Sequence, residues 1–155
     1  MSVVKIDPRG PRFVASLTTL VLAVALVAAP SPLTIVLLAV QATVFGIGVG
    51  GGIQHTPYSW VFRTFVRPRL AAPRELEDSA PPRFAQGLGL VFALLALVSY
   101  LAGAALLGSI LTGLALAAAI LNAAFGFCMG CEIYLLLKRL TPATITHTPS
   151  TATKG

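Results

Sequence analysis

Two long stretches of this chain carry no charged side chain, residues 13–62 and residues 84–131. A helix that crosses a bilayer needs about 20 predominantly apolar residues, so each stretch holds two helices and a turn. In the first, Pro30-Ser31-Pro32 supplies the turn, because proline cannot continue a helix interior. The expected spans are 13–29 and 33–52. In the second the turn falls around 102–105, giving 84–101 and about 106–127, with the hairpin running on to about 137. The pattern predicts an all-α, polytopic membrane protein: four transmembrane helices arranged as two tandem hairpins within a domain of residues 1–140.

Composition agrees with this pattern. The chain has 155 residues, is 56% hydrophobic and is 10% charged, with a mean hydropathy of +0.87. Soluble domains are about 25% charged. A soluble globule and a disordered chain are both excluded. Nucleic acid is excluded as a partner, since no basic patch interleaved with aromatics is present; the bilayer is the partner the composition demands. A basic start, an apolar run and Val27-Ala28-Ala29 imitate a secretory signal. The run is too long for one, and a second apolar segment follows at once, so the first helix is expected to remain in the mature protein.

Orientation follows from the basic residues. Lys5, Arg9 and Arg12 precede the first hairpin; Arg63, Arg67, Arg69, Arg74 and Arg83 lie between the hairpins; Lys138, Arg139 and Lys154 follow the second. The two short connectors carry none. Both termini and the central loop are expected on the cytoplasmic side. Within that loop, residues 58–70 alternate Trp60, Phe62 and Phe65 with Arg63, Arg67 and Arg69, the pattern of an amphipathic helix lying in the interface. Residues 141–155 are rich in Thr, Pro and Ser and read as a disordered tail.

The hairpins read as a parallel repeat. Asp7, Pro11, Arg12 and Phe13 recur as Asp78, Pro82, Arg83 and Phe84 at one offset of 71 (78 − 7). Phe45-Gly46 echoes Phe125-Gly126, and Tyr58 and Arg63 echo Tyr134 and Arg139 at an offset of 76 (134 − 58). The halves differ where the first has its glycine run, 48–52, and the second has Cys128-Met129-Gly130-Cys131.

Those are the chain's 2 cysteines. The spacing places two sulfurs on one helical face, close enough to bridge, and in a reducing compartment it points to redox or metal chemistry rather than a staple. Glu132, four residues past Cys128, is the one ionisable side chain between Arg83 and Lys138, and an intramembrane carboxylate marks a candidate site. Cys128, Cys131 and Glu132 are therefore the candidate catalytic residues, with Glu132 as a base for Cys128 and Arg12 or Arg83 offsetting its charge. On a continuous helix the pair lies about 15 Å below Lys138; a break at Gly126 or Gly130 brings it nearer the surface. Small-residue packing competes with this reading. Metal binding competes less well, since two cysteines, Glu132 and His55 make an incomplete zinc set. No metal and no cofactor are assigned. His55 faces either the thiols across the repeat axis or solvent.

Pro82-Arg83-Phe84 together with Phe125-Gly126-Phe127-Cys128-x-Gly130-Cys131-Glu132-x-Tyr134 resembles a bacterial integral-membrane family known as domain of unknown function 4395, over residues 7 to about 140. Tyr134 enters the candidate site as a supporting residue through that motif. The resemblance implies a four-helix protein of the bacterial plasma membrane, met beside thioredoxin-like and rhodanese-like proteins. It assigns no reaction. Thiol redox or persulfide relay with such a partner is the leading expectation; a non-enzymatic membrane scaffold and a small permease for a sulfur-containing solute are the alternatives, and the sequence leaves open whether the chain forms a homo-oligomer.

Overall fold

A computed structural model describes residues 5–73 and 75–141; most of the tail lies outside them. Four long helices carry the architecture: α1 (Arg9–Val27), α2 (Pro32–Gly50), α4 (Ala80–Leu101) and α5 (Ala105–Phe125). Each is long and apolar enough to cross a membrane, and the chain is a multi-pass membrane protein. Between the hairpins runs α3 (Pro57–Val61), continued by one π-type turn at Phe62–Val66 and a 3₁₀ turn at Arg67–Arg69. A sixth helix, α6 (Met129–Leu140), follows α5.

The turns follow from local chemistry. Pro32 opens α2 at its first turn, where a missing N–H costs nothing. Between α4 and α5, Gly103 adopts φ +80 and the Ala104 N–H donates to Ser99 O at 2.8 Å, closing α4. The hairpins then interlock. α1 packs on α5, α2 on α4, and each hairpin also packs on itself, closing a four-helix ring. Small residues permit close approach: a Cβ on Gly108 would stand 2.8 Å from the Tyr100 ring, and one on Gly89 2.8 Å from the Phe45 ring. Leu22, Leu38, Ala96 and Tyr100 form the core. Leu20, Val98 and Leu106 point outward and are exposed, as helices in lipid require.

The repeat extends into three dimensions. The Asp7 and Asp78 carboxylates accept from the N–H groups of Arg9 and Ala80, at 3.0 and 2.9 Å. A short strand β1 (Lys5–Ile6) pairs antiparallel with β2 (Glu77–Asp78), Lys5 opposite Asp78 and Ile6 opposite Glu77. Ile6 and Glu77 differ by 71 (77 − 6), so a residue pairs with its own repeat equivalent, as a two-fold axis along the bundle demands. The alternation of apolar residues gave no hint of these two-residue strands.

Two sequence registers need correction. The ring pairs Phe13–Phe62 (5.6 Å) and Phe84–Tyr134 (5.7 Å) are equivalent, so Tyr134 corresponds to Phe62, at an offset of 72 (134 − 62), and not to Tyr58. Buried Gly108, Thr112 and Ala119 of α5 match buried Thr34, Leu38 and Phe45 of α2 at an offset of 74 (108 − 34). Phe45 therefore corresponds to Ala119, and the echo with Phe125 is a coincidence of sequence. Phe125 is exposed at the end of α5.

Candidate functional site

The second hairpin does not run on as one helix to residue 137. α5 stops at Phe125, where Gly126 takes φ +68, a left-handed conformation that costs glycine nothing. The α5 carbonyls freed there meet Arg12, whose Nη2 donates to Ala124 O at 3.4 Å. Arg83 does the same for α2: its Nε donates to Val49 O at 2.8 Å and its Nη2 to Gly50 O at 3.3 Å. The first helix of each hairpin thus caps the second helix of the other, with a cation where the helix dipole wants one. Arg12 and Arg83 are structural equivalents with different neighbours.

After Gly126 the chain extends through Cys128 (φ −87, ψ 98), which becomes the N-cap of α6. Its sulfur accepts the Cys131 N–H at 3.3 Å, and the two cysteines are joined as a disulfide, with Cα atoms 5.1 Å apart. The pair sits at the first turn of a new helix. α6 lies close on α4 because residue 130 is glycine; a Cβ there would come within 2.6 Å of Ala85 Cβ.

Glu132 falls in the first turn of α6 and is exposed. The break at Gly126 separates Glu132 from α5 and makes its segment a short amphipathic helix, whose N-terminus favours negative charge. Glu132 does not line the cavity described below. Tyr134 packs its ring on Phe84 and seats α6. His55 is exposed, with Nδ1 2.6 Å from Gly51 O, and is likewise absent from the cavity wall. Among the described residues no three His, Cys, Asp or Glu side chains gather as a metal site.

A cavity of about 640 Å³ begins at the disulfide and penetrates the bundle between α1, α4, α5 and α6. Arg12, Cys128 and Cys131 stand at its upper end. Gln86 and Asn122 line it one turn deeper, and Thr18, Phe92 and Leu114 line it at mid-bundle. Its walls are chiefly apolar. Sequence reasoning missed Gln86 and Asn122, although amides inside uncharged spans were a readable signal.

The cavity exists because the halves are unequal. In the first half, the Tyr58 hydroxyl donates to Gln41 Oε1 at 3.1 Å, and Gln41 Nε2 donates to Thr18 Oγ1 at 3.3 Å. Burial pushes the Tyr58 phenol up. The equivalents of Thr18, Gln41, Phe45 and Tyr58 are Gly89, Ala115, Ala119 and Gly130, and all four small residues line the cavity. Where the first half has Thr56 as N-cap, accepting the Ser59 N–H at 3.3 Å, the second has Cys128 and Cys131.

The chain matches the family described as Domain of unknown function (DUF4395) over residues 6–139, and it belongs to that family. Comparison with the curated proteins and with the solved structures gave no match.

Proposed function

From membership of that family and the geometry above, we propose that this membrane protein is a thiol–disulfide relay. Cys128 and Cys131 alternate between disulfide and dithiol, in exchange with a thioredoxin-like dithiol protein. The observation that carries this reading is placement: the chain's two cysteines, bonded to each other, stand at a helix N-terminus on the rim of a cavity. The reading puts both chain termini on the cytoplasmic side of a bacterial plasma membrane, since among the described residues the basic ones fall at that end of the bundle and none in the outer connectors.

In the exchange a partner thiolate attacks Cys128 Sγ. The S–S bond breaks, and Cys131 leaves as a thiolate that takes up a proton. The partner's second thiol then attacks the mixed disulfide, loses its proton and frees Cys128. Two electrons and two protons move from the partner to the chain. The amides at the start of α6 and the Arg12 guanidinium stabilise negative charge on Cys128; the sequence reading had Glu132 as the base for Cys128 and Arg12 or Arg83 offsetting the carboxylate's charge. A rhodanese-like partner would deliver a sulfane sulfur to the same Cys128 instead.

Trapping tests the reading. With Cys128 activated by an aromatic disulfide reagent, Cys131→Ser holds a thioredoxin-like partner that lacks its second thiol as a stable mixed disulfide, and Cys128→Ser does not. If both variants behave alike, the relay is wrong. If neither substitution has any effect beyond packing, the exposed Arg63, Arg67 and Arg69 become the better guide and the chain is a scaffold.

A further inference from the structure

A relay that receives electrons must pass them on, and the cavity supplies a route. We propose that the cavity binds a membrane quinone, its ring beside the disulfide and its prenyl tail toward mid-bundle, and that the quinone is the electron acceptor for the Cys128–Cys131 dithiol. This rests on the relay reading above.

Three observations converge. The first is size and lining: about 640 Å³ with chiefly apolar walls lies within the range of small-molecule sites. It disfavours a sulfur anion, whose desolvation such walls cannot repay.

The second is an unsatisfied amide. Gln86 is 8% exposed and lines the cavity; its Oε1 is turned toward Gly48, where a Cβ would stand 2.9 Å from it, and accepts no hydrogen bond among the described residues. Buried amides are almost always satisfied; no hydrogen bond to that oxygen holds the Gln86 amide in its present orientation, and it can turn toward a ligand in the cavity. An amide suits a ligand that changes between carbonyl and hydroxyl. Its N–H₂ donates to a quinone oxygen, and after a half-turn its oxygen accepts from a quinol hydroxyl.

The third is order along the bundle axis. Gln86 stands three residues deeper than Arg83, about 4.5 Å on the helix axis, and Asn122 stands three residues from the end of α5. Both amides therefore lie one turn inside the helix ends that flank the disulfide, and beneath them come Phe92 and Leu114. A polar layer next to the sulfurs and an apolar shaft beyond it is the outline of a ring with a hydrocarbon tail. The Thr18 hydroxyl ends the Tyr58–Gln41–Thr18 chain, in which each hydrogen bond is directed toward Thr18, and it offers one further donor in that wall.

The electron balance is closed. Two electrons leave the two sulfurs, the S–S bond forms, and the two thiol protons end on the two quinone oxygens. The product is a disulfide and a quinol, with no further reactant.

The test uses the full chain in lipid nanodiscs and a short-tailed ubiquinone or menaquinone analogue under anaerobic conditions. Reduced protein is expected to lose two thiols and yield one quinol per chain. Cys128→Ser/Cys131→Ser is expected to bind the analogue and yield no quinol. Gln86→Leu is expected to weaken binding by about tenfold. Ala115→Gln with Ala119→Phe, which restores the first half's side chains, is expected to abolish binding while the disulfide still forms. If an alkane or a phospholipid chain competes as well as the analogue does, or if Gln86→Leu binds normally, the quinone site is wrong. Exchange with the partner dithiol in a chain that binds no quinone overturns this inference alone. Quinone binding beside cysteines that never exchange overturns the relay, and the electron transfer with it.

Discussion

Thr56 and Cys128 occupy the same post in the two halves. Each is the N-cap of the helix that follows a hairpin, and each accepts the N–H of the residue three further on, at 3.3 Å. Around Thr56 the bundle is filled: Tyr58 reaches Gln41, Gln41 reaches Thr18, and Phe62 lies against Phe13. Around Cys128 it is hollow where Ala115 and Ala119 stand in place of Gln41 and Phe45, while Gly89 and Gly130 admit the close approach of Phe45 and Ala85. One half spends the motif on stability. The other places a bonded cysteine pair beside an opening. Thiols alone do not account for this difference, since packing by itself would favour filling a void of this size.

The comparison breaks most sharply at Gly130. Gly130→Val forces a side chain into Ala85, where a Cβ would already stand 2.6 Å away, and α6 must lift. A loss of about 2–3 kcal/mol and of disulfide formation is expected, read by thermal unfolding and by thiol labelling. Transplanting the motif comes next. In a chain carrying Cys128→Ser and Cys131→Ser, Thr56→Cys with Ser59→Cys is expected to form a disulfide, because the capping geometry is the same. Its exchange with the partner is expected to be at least about tenfold slower, because no opening adjoins it; stopped-flow exchange measures this.

The two capping arginines sharpen the contrast further. Arg12→Met and Arg83→Met each remove a cation from a helix C-terminus and should cost about 1 kcal/mol alike. Exchange should slow severalfold with Arg12→Met alone, because Arg12 shares the cavity rim with the cysteines. Equal slowing in both would count against the asymmetry.

The smallest effect concerns Tyr58. Its folded-state phenol titrates above the ordinary 10.0 because of burial. Its contribution to stability is fully present below pH 10 and is lost as pH rises through the higher folded value, where the unfolded chain already favours the phenolate. Unfolding followed between pH 9 and 11 should show a steeper alkaline fall in the natural chain than in Tyr58→Phe.

Much of this molecule could be read from its residues. The uncharged stretches marked four helices, Pro30-Ser31-Pro32 marked a turn, and the Asp7 and Asp78 entries marked the repeat, because bilayer cost and local capping act on nearby residues. Cys128 and Cys131 were legible for the same reason. Glu132 was read with the break at Gly126 or Gly130 left open, and the left-handed Gly126 places it in the first turn of a separate helix. Tyr58 and Tyr134 misled because they stand four residues (76 − 72), about one helical turn, out of register, a shift that leaves the motif's look intact. The cavity was hidden because it consists of side chains that are small; Gly89 and Ala115 acquire meaning only once Thr18 and Gln41 are known to be their equivalents.

The central claim is that the second half carries a reversible dithiol. Its most direct test is a redox titration of the full chain in membranes, with differential alkylation of Cys128 and Cys131 read by mass spectrometry. A single two-electron transition between about −320 and −180 mV, with both cysteines changing together and reversibly, is the result expected. Cysteines that stay in one state across that range, closed to small alkylating agents in the folded protein, would contradict the account.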